Sequence, residues 1–192
     1  MICPRNWIIA FSALLCFAAH TSSAEIIDVV VTFSDPLCDE NCRRLVRNSF
    51  ENVDQVEEVS VSPGQVLLHW KEGKSFSYQT VRDPMRLIGL SIHGIFVTVR
   101  GEASVVGQSA HITSIGDNTS FELTSAPSPR AGRYVQFNNP LAYELLANLK
   151  EQLQEAEEEG KLVTVSGFLL MPHRLPLTLV VNNINVEDPE EE

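Results

Sequence analysis

Two cysteines, Cys38 and Cys42, stand four residues apart in the stretch "SDPLCDENC", residues 34–42. An apolar run, "IIDVVVTF", leads into them and an amphipathic stretch follows. A sulfur pair at such a junction has three uses. As thiolates the two bind soft ions such as Cu(I), Hg(II) or Zn(II). The N-terminus of a helix favours the thiolate through its partial positive charge and unbonded N–H groups, and Arg43 and Arg44 add charge nearby. Asp39 and Glu40 work against a thiolate, although their oxygens suit zinc. Two sulfurs complete a linear Cu(I) or Hg(II) site but fill only half of zinc's four positions. Joined to each other, the cysteines staple a turn, and so small a loop returns little chain entropy. Exposed and strained, they exchange with other thiols.

The compartment bears on this choice. Arg5 precedes a run, residues 7–19, that is apolar except for Ser12, and Ser22 and Ala24 occupy the small-residue positions of a cleavage site. That is the layout of a secretory leader, and the run falls short of the roughly 20 apolar residues of a membrane span. The expectation is a signal peptide over residues 1–24 and a periplasmic or secreted chain from Glu25 onward. Cys3 and Cys16 leave with the leader, so the even remainder of an exported chain suggests a disulfide.

Charge narrows the partners. The net charge is −11. Residues 25–101 hold 11 acids against 8 bases, and residues 102–192 hold 14 against 5. Nucleic acid requires clustered Lys and Arg, so none is expected as a partner. The tail, residues 188–192, and "EAEEEG" read as solvated acidic surface.

The elements that must position the cysteines follow from pattern. "EIIDVVVTF" is a buried strand. Cys42, Leu45, Val46, Phe50 and Val53 paint one face of a helix. "VEEVSV" and "VLLHW" are strands about the turn "SPGQ", and "SFSYQ" is extended. Asp83 and Pro84 open a second helix whose face is Met85, Ile88 and Ile92, and Gly94 closes it. "IFVTVRG" is the last strand of this half. The order βαββαβ implies a ferredoxin-like sandwich over residues 25–101. Beyond it, "EASVVGQSAHITSI", "TSFELTS" and "RYVQF" read as strands. A helix then runs from Asn139 and Pro140 to Gly160, with a stripe of Leu145, Leu146, Leu149 and Leu153. "LVTVSGFLL" and "LTLVVNNINV" complete an OB-like barrel over residues 102–187, capped by one helix. The fold class expected is therefore α+β, in two abutting domains.

The first half resembles the heavy-metal-associated domain family, the module of copper chaperones, copper-ATPase N-termini and periplasmic mercury-binding proteins. The likeness covers roughly residues 26–101. It rests on strand order, on the cysteine pair between the first strand and first helix, and on the fourteen-residue interval from Cys42 to Val56. Here Asp35, Pro36 and Leu37 replace the family's Gly-Met-Thr, and the spacing is Cys-x-x-x-Cys rather than Cys-x-x-Cys. The resemblance implies one Cu(I) or other soft ion held by Cys38 and Cys42, in an exported metal carrier. The alternatives are a metal-free envelope protein-interaction module with a local disulfide, its partner met through the barrel, and a thiol–disulfide exchange protein.

Other residues carry weaker signals. His69 on a strand reads as packing. His93 beside Gly94 reads as a helix-end cation, and His111 has no visible partner. Met171 and His173, in "MPHRLP", are copper-competent donors at a hairpin tip. Trp70 reads as core or interface, and Asn118 heads a glycosylation sequon. No nucleophile elbow, Gly-rich phosphate loop or His-Glu-x-x-His stretch occurs, so an enzyme is not expected.

Overall fold

The computed structural model describes residues 26–34, 38–126 and 144–187. Its elements are β1 (Ile26–Ser34), α1 (Glu40–Glu51), β2 (Val56–Ser62), β3 (Gln65–Trp70), α2 (Tyr78–Leu87), β4 (Ser91–Val106), β5 (Ser109–Thr113), β6 (Ser120–Thr124), α3 (Ala147–Glu159), β7 (Leu162–Leu170) and β8 (Leu177–Val186). The fold is mixed α+β. Among the described residues, three helices accompany one sheet that closes on itself as a five-stranded barrel at one end.

The sheet runs β2-β3-β1-β4 through its first half, every pair antiparallel. Alternation along β1 buries Val29, Val31 and Phe33 on one side. Val46 and Phe50 of α1 and Val81 and Met85 of α2 join them in the core, so both helices cover that side. The barrel is β4-β5-β6-β8-β7, closed by β7 on β4, with β6 and β8 parallel. Ile112, Phe121, Val165 and Leu179 fill its interior, and Leu153 and Ala156 of α3 pack onto the same core. Helix α3 is fixed to the β4–β5 hairpin by Lys150 Nζ, which donates to Gly107 O at 2.6 Å, and by Glu157 Oε2, which accepts from Val105 N at 2.9 Å.

Strand β4 belongs to both halves. Its first part pairs with β1 as far as Val99 against Ile26, and its end pairs with β5 from Glu102 against Thr113. On its other edge β7 pairs with Phe96 through Glu102. The sixteen-residue strand thus runs unbroken through the position, near Gly101, where the sequence suggested a domain boundary. The aromatic chain Trp70–Phe76–Phe121, with ring centroids 5.6 and 6.3 Å apart, carries one core from β3 into the barrel. Trp70 also fixes the loop after β3, its Nε1 donating to Lys74 O at 2.9 Å.

Several local expectations need correction. Helix α2 starts five residues before Asp83. Ser77 caps it, accepting from Thr80 N, and Pro84 lies inside the helix with its ring buried. The segment "SFSYQ", expected to be extended throughout, therefore enters the helix at Tyr78. Gly94 and His93 sit in β4, not at a helix end. "EASVVGQSAHITSI" is two strands, because Gly107, at φ 61°, turns the chain back after Val106. Leu45 is 54% exposed, whereas Val46 and Phe50 are sealed. Helix α3 begins at Ala147, so Leu145 is buried ahead of it and Leu146 is 57% exposed. Gly160 does close it, in the left-handed conformation. The expected strand "RYVQF" and the expected cap Asn139-Pro140 lie outside the described residues.

One ion pair ties the far end of β8 to the shared strand. Arg100 Nε donates to both carboxylate oxygens of Glu187 at 2.9 Å, and Thr164 Oγ1 donates to Oε1 at 2.9 Å. The Arg100 hydrogen bond is the chief cause that holds the Glu187 carboxyl below its ordinary value, and burial opposes it. A depressed carboxylate contributes stability that is complete above its unfolded value, near pH 4.5, and is lost as pH falls through the lower folded value. Glu187→Gln should therefore lower stability at neutral pH, by about 1 kcal/mol at most. It should also flatten the loss below pH 4.5. Urea midpoints of wild type and variant, measured from pH 7 down to pH 3, check this. Parallel acid limbs would disprove it.

Candidate functional site

Asp39 is the residue that starts α1. Its Oδ1 accepts from Cys42 N at 2.9 Å, which satisfies one of the unbonded N–H groups of the first turn. That bond is also the main reason the Asp39 carboxyl is held below its usual value. The cap places Cys42 in the first turn and leaves Cys38 just outside it. Their sulfur atoms are joined in a disulfide with the Cα atoms 5.0 Å apart. Both residues are half-buried against the core cluster rather than sealed in it. Arg43 pairs with Glu40, and Arg44 Nη2 donates to Asn41 Oδ1 at 3.2 Å. As a disulfide the pair offers no thiolate to a metal; two-sulfur coordination requires its reduction.

The remaining donors are scattered. His69 lies on β3 with Nδ1 2.6 Å from Asp28 Oδ1 on β1. That oxygen is shielded from solvent, and the contact falls short of hydrogen-bond geometry. His111 is on β5, opposite Ser104 and Glu122. Met171 and His173 stay together in the β7–β8 turn, where Met171 has φ 46°. Asn118, exposed at φ 56°, follows Asp117 in the β5–β6 turn. Trp70 is core. Among the described residues no three His, Cys, Asp or Glu side chains gather as a metal cluster.

A second feature emerges from the register. Between Phe96 and Val99, β4 is bonded on both edges, so β2-β3-β1-β4-β7-β8 form one continuous surface. Helices α1 and α2 cover its inner side along β2-β3-β1-β4, and the barrel interior backs β7 and β8. On the outer side Leu67, Val30, Phe96, Phe168 and Val180 stand directly opposite one another, strand to strand. None of the five joins the hydrophobic core. Phe96 and Phe168 meet edge to face, centroids 5.4 Å apart. Gly94 makes room for this, because a Cβ there would lie 2.9 Å from Phe168 Cε2. Polar residues flank the row: Asp28, Thr98, Ser166 and Asn183 on one side, and Gln65 and Thr32 on the other. No element among the described residues packs over this ridge, and an apolar ridge with a polar rim is the composition of a docking surface.

The sequence carries a signal for this row. "DVVVTF", "VLLHW" and "IFVTV" are apolar at both parities. A sheet covered on one side only should alternate; these strands do not, so each places an apolar residue on the uncovered side.

No helix among the described residues is long and apolar enough to cross a membrane. The chain matches no family model, no curated protein and no solved structure.

Proposed function

We propose that the protein is an exported binding module that engages a protein partner through the outer face of its sheet, with Cys38–Cys42 as a local staple. The observation that carries this reading is the five-strand apolar row Leu67–Val30–Phe96–Phe168–Val180. Export is supported by the leader-like beginning of the chain and by the disulfide, which persists in oxidising compartments. The strand order β2-β3-β1-β4, with both helices on one side, supports a ferredoxin-like first half. The order β4-β5-β6-β8-β7, with a helix between β6 and β7, supports an OB-like barrel. A photoreactive residue at Phe96, in protein exported by its own host, tests the reading. It should yield a discrete protein adduct, whereas one at Leu87, 81% exposed on α2, should not. Equal labelling from both positions would refute it.

One observation favours a second reading. The two cysteines are half-buried at the N-terminal turn of α1, the placement that the likeness to heavy-metal-associated domains calls for. On reduction, Cys38 and Cys42 would hold one Cu(I) or similar soft ion between them. Thiols counted in protein taken from its own compartment, and Cu(I) titration of reduced wild type beside Cys38→Ser/Cys42→Ser, test it. Free thiols with tight one-to-one binding, lost in the double variant, support a carrier. Blocked thiols leave the pair as a staple. Stability separates the staple further. A loop this short contributes about 2 kcal/mol at most, so the double variant should stay folded with a denaturant midpoint only modestly lowered.

A further inference from the structure

The occupant of the outer face can be named from its symmetry and charge. We propose that it is a second copy of this chain, packed face to face across a twofold axis. This rests on the reading of that face as a contact surface.

The row has a centre. Phe96 on β4 has Val30 and Leu67 on one side and Phe168 and Val180 on the other. A twofold axis parallel to the strands and passing over Phe96 reverses the strand order. It sets Phe96 on its own mate, Val30 on the mate's Phe168, and Leu67 on the mate's Val180. Every apolar residue of the row then meets an apolar residue, which is the self-complementarity that an isologous interface requires. The flanking row obeys the same operation. Thr98 meets Thr98, Asp28 faces Ser166 and His69 faces Asn183. No carboxylate of these rows opposes another.

Charge favours this face over the acidic face of α3. The chain carries a net −11, so most encounters between copies bring like charges together. Helix α3 alone presents Glu151, Glu155, Glu157, Glu158 and Glu159. On the outer face, Asp28 lies against His69, and Arg100 is paired with Glu187 at the border. Glu58 stands opposite His69 at the β2 edge, outside the strands that the axis superposes, so the superposed rows bring few like charges together. Depletion of charge with paired aromatics is the composition of an interface core. The area also suffices. The five strands that the axis superposes, at ~4.8 Å, and three rows at ~6.8 Å cover roughly 490 Å² per partner before side-chain relief, about 1,000 Å² in total, the size a specific interface has to reach.

Sedimentation velocity on the disulfide-intact chain, from micromolar to hundreds of micromolar, is the test. Wild type should pass from monomer to dimer. Phe96→Lys should weaken the dimer at least about 30-fold, as expected of a central aromatic anchor. Leu87→Lys should leave it unchanged. Should Phe96→Lys fail to fold, Leu67→Lys gives the same readout from the end of the row. A wild type that remains monomeric overturns the second copy as occupant, yet leaves the photoreactive probe at Phe96 free to report a different protein. A dimer indifferent to both Lys variants overturns the face as its interface. Loss of folding in both variants overturns this proposal and the contact reading together, because the row would then be internal support.

Discussion

Phe121→Ala should lower stability by about 3–5 kcal/mol, the cost of removing a sealed aromatic ring, and should do so for the whole chain at once. Phe121 is fully buried in the barrel, and its ring meets Phe76, which in turn meets Trp70 at the end of β3. The cavity would open where the two halves share their core. Trp70 and Trp7 are the tryptophans of the chain, and Trp7 lies in the expected leader. Fluorescence of the chain from Glu25 therefore reports the first half, while far-ultraviolet dichroism reports all of it. Coincident denaturation curves, both shifted, are the expected result. A dichroism transition that moves while Trp70 stays put would mean that the halves unfold separately.

Gly101→Ala is expected to cost about 3 kcal/mol, at the severe end of overpacking. Gly101 lies between the stretch of β4 that pairs with β1 and the stretch that pairs with β5. A Cβ there would sit 2.3 Å from Thr113 O and 2.9 Å from its carbonyl carbon. Both are backbone atoms of the neighbouring strand, so no side chain can swing aside; β4 and β5 must part. Gly107 serves as a comparison, since nothing lies within 4 Å of its missing Cβ. Replacing it by Ala meets only the penalty of its positive φ, about 1 kcal/mol. Chemical denaturation of the two variants side by side checks the difference. Equal, small losses would show that the strands separate there at little cost.

The elements that sequence reading placed well are those with strong local signals. The β-branched run of β1, the spacing of Val46 and Phe50, and Gly160 at a left-handed helix end each specify their structure within a few residues. Its misplacements occur where tertiary packing outweighs a local rule. Pro84 reads as a helix start because an interior proline forfeits a backbone hydrogen bond. Here it is buried beside Val81 and Met85, and the helix forms around it with Ser77 as cap. Gly107 gives little local warning of a turn, because the turn needs only two residues and the apolar pattern continues on both sides. The cysteine pair was visible from spacing, and its position at the start of α1 follows from Asp39, whose capping oxygen is a strong local signal. Register was not visible. That Leu67, Val30, Phe96, Phe168 and Val180 share one line depends on pairings between residues as much as 72 positions apart, as from Phe96 to Phe168. No local pattern carries that information.

The unbroken run of β4 bears on descent. A recombination event that exchanged either half for a foreign module would sever a hydrogen-bonded ribbon midway and would have to supply a matching stub in the right pleat. Shuffling of ready-made pieces is closed to such an architecture, so its two parts must be inherited, and lost, together.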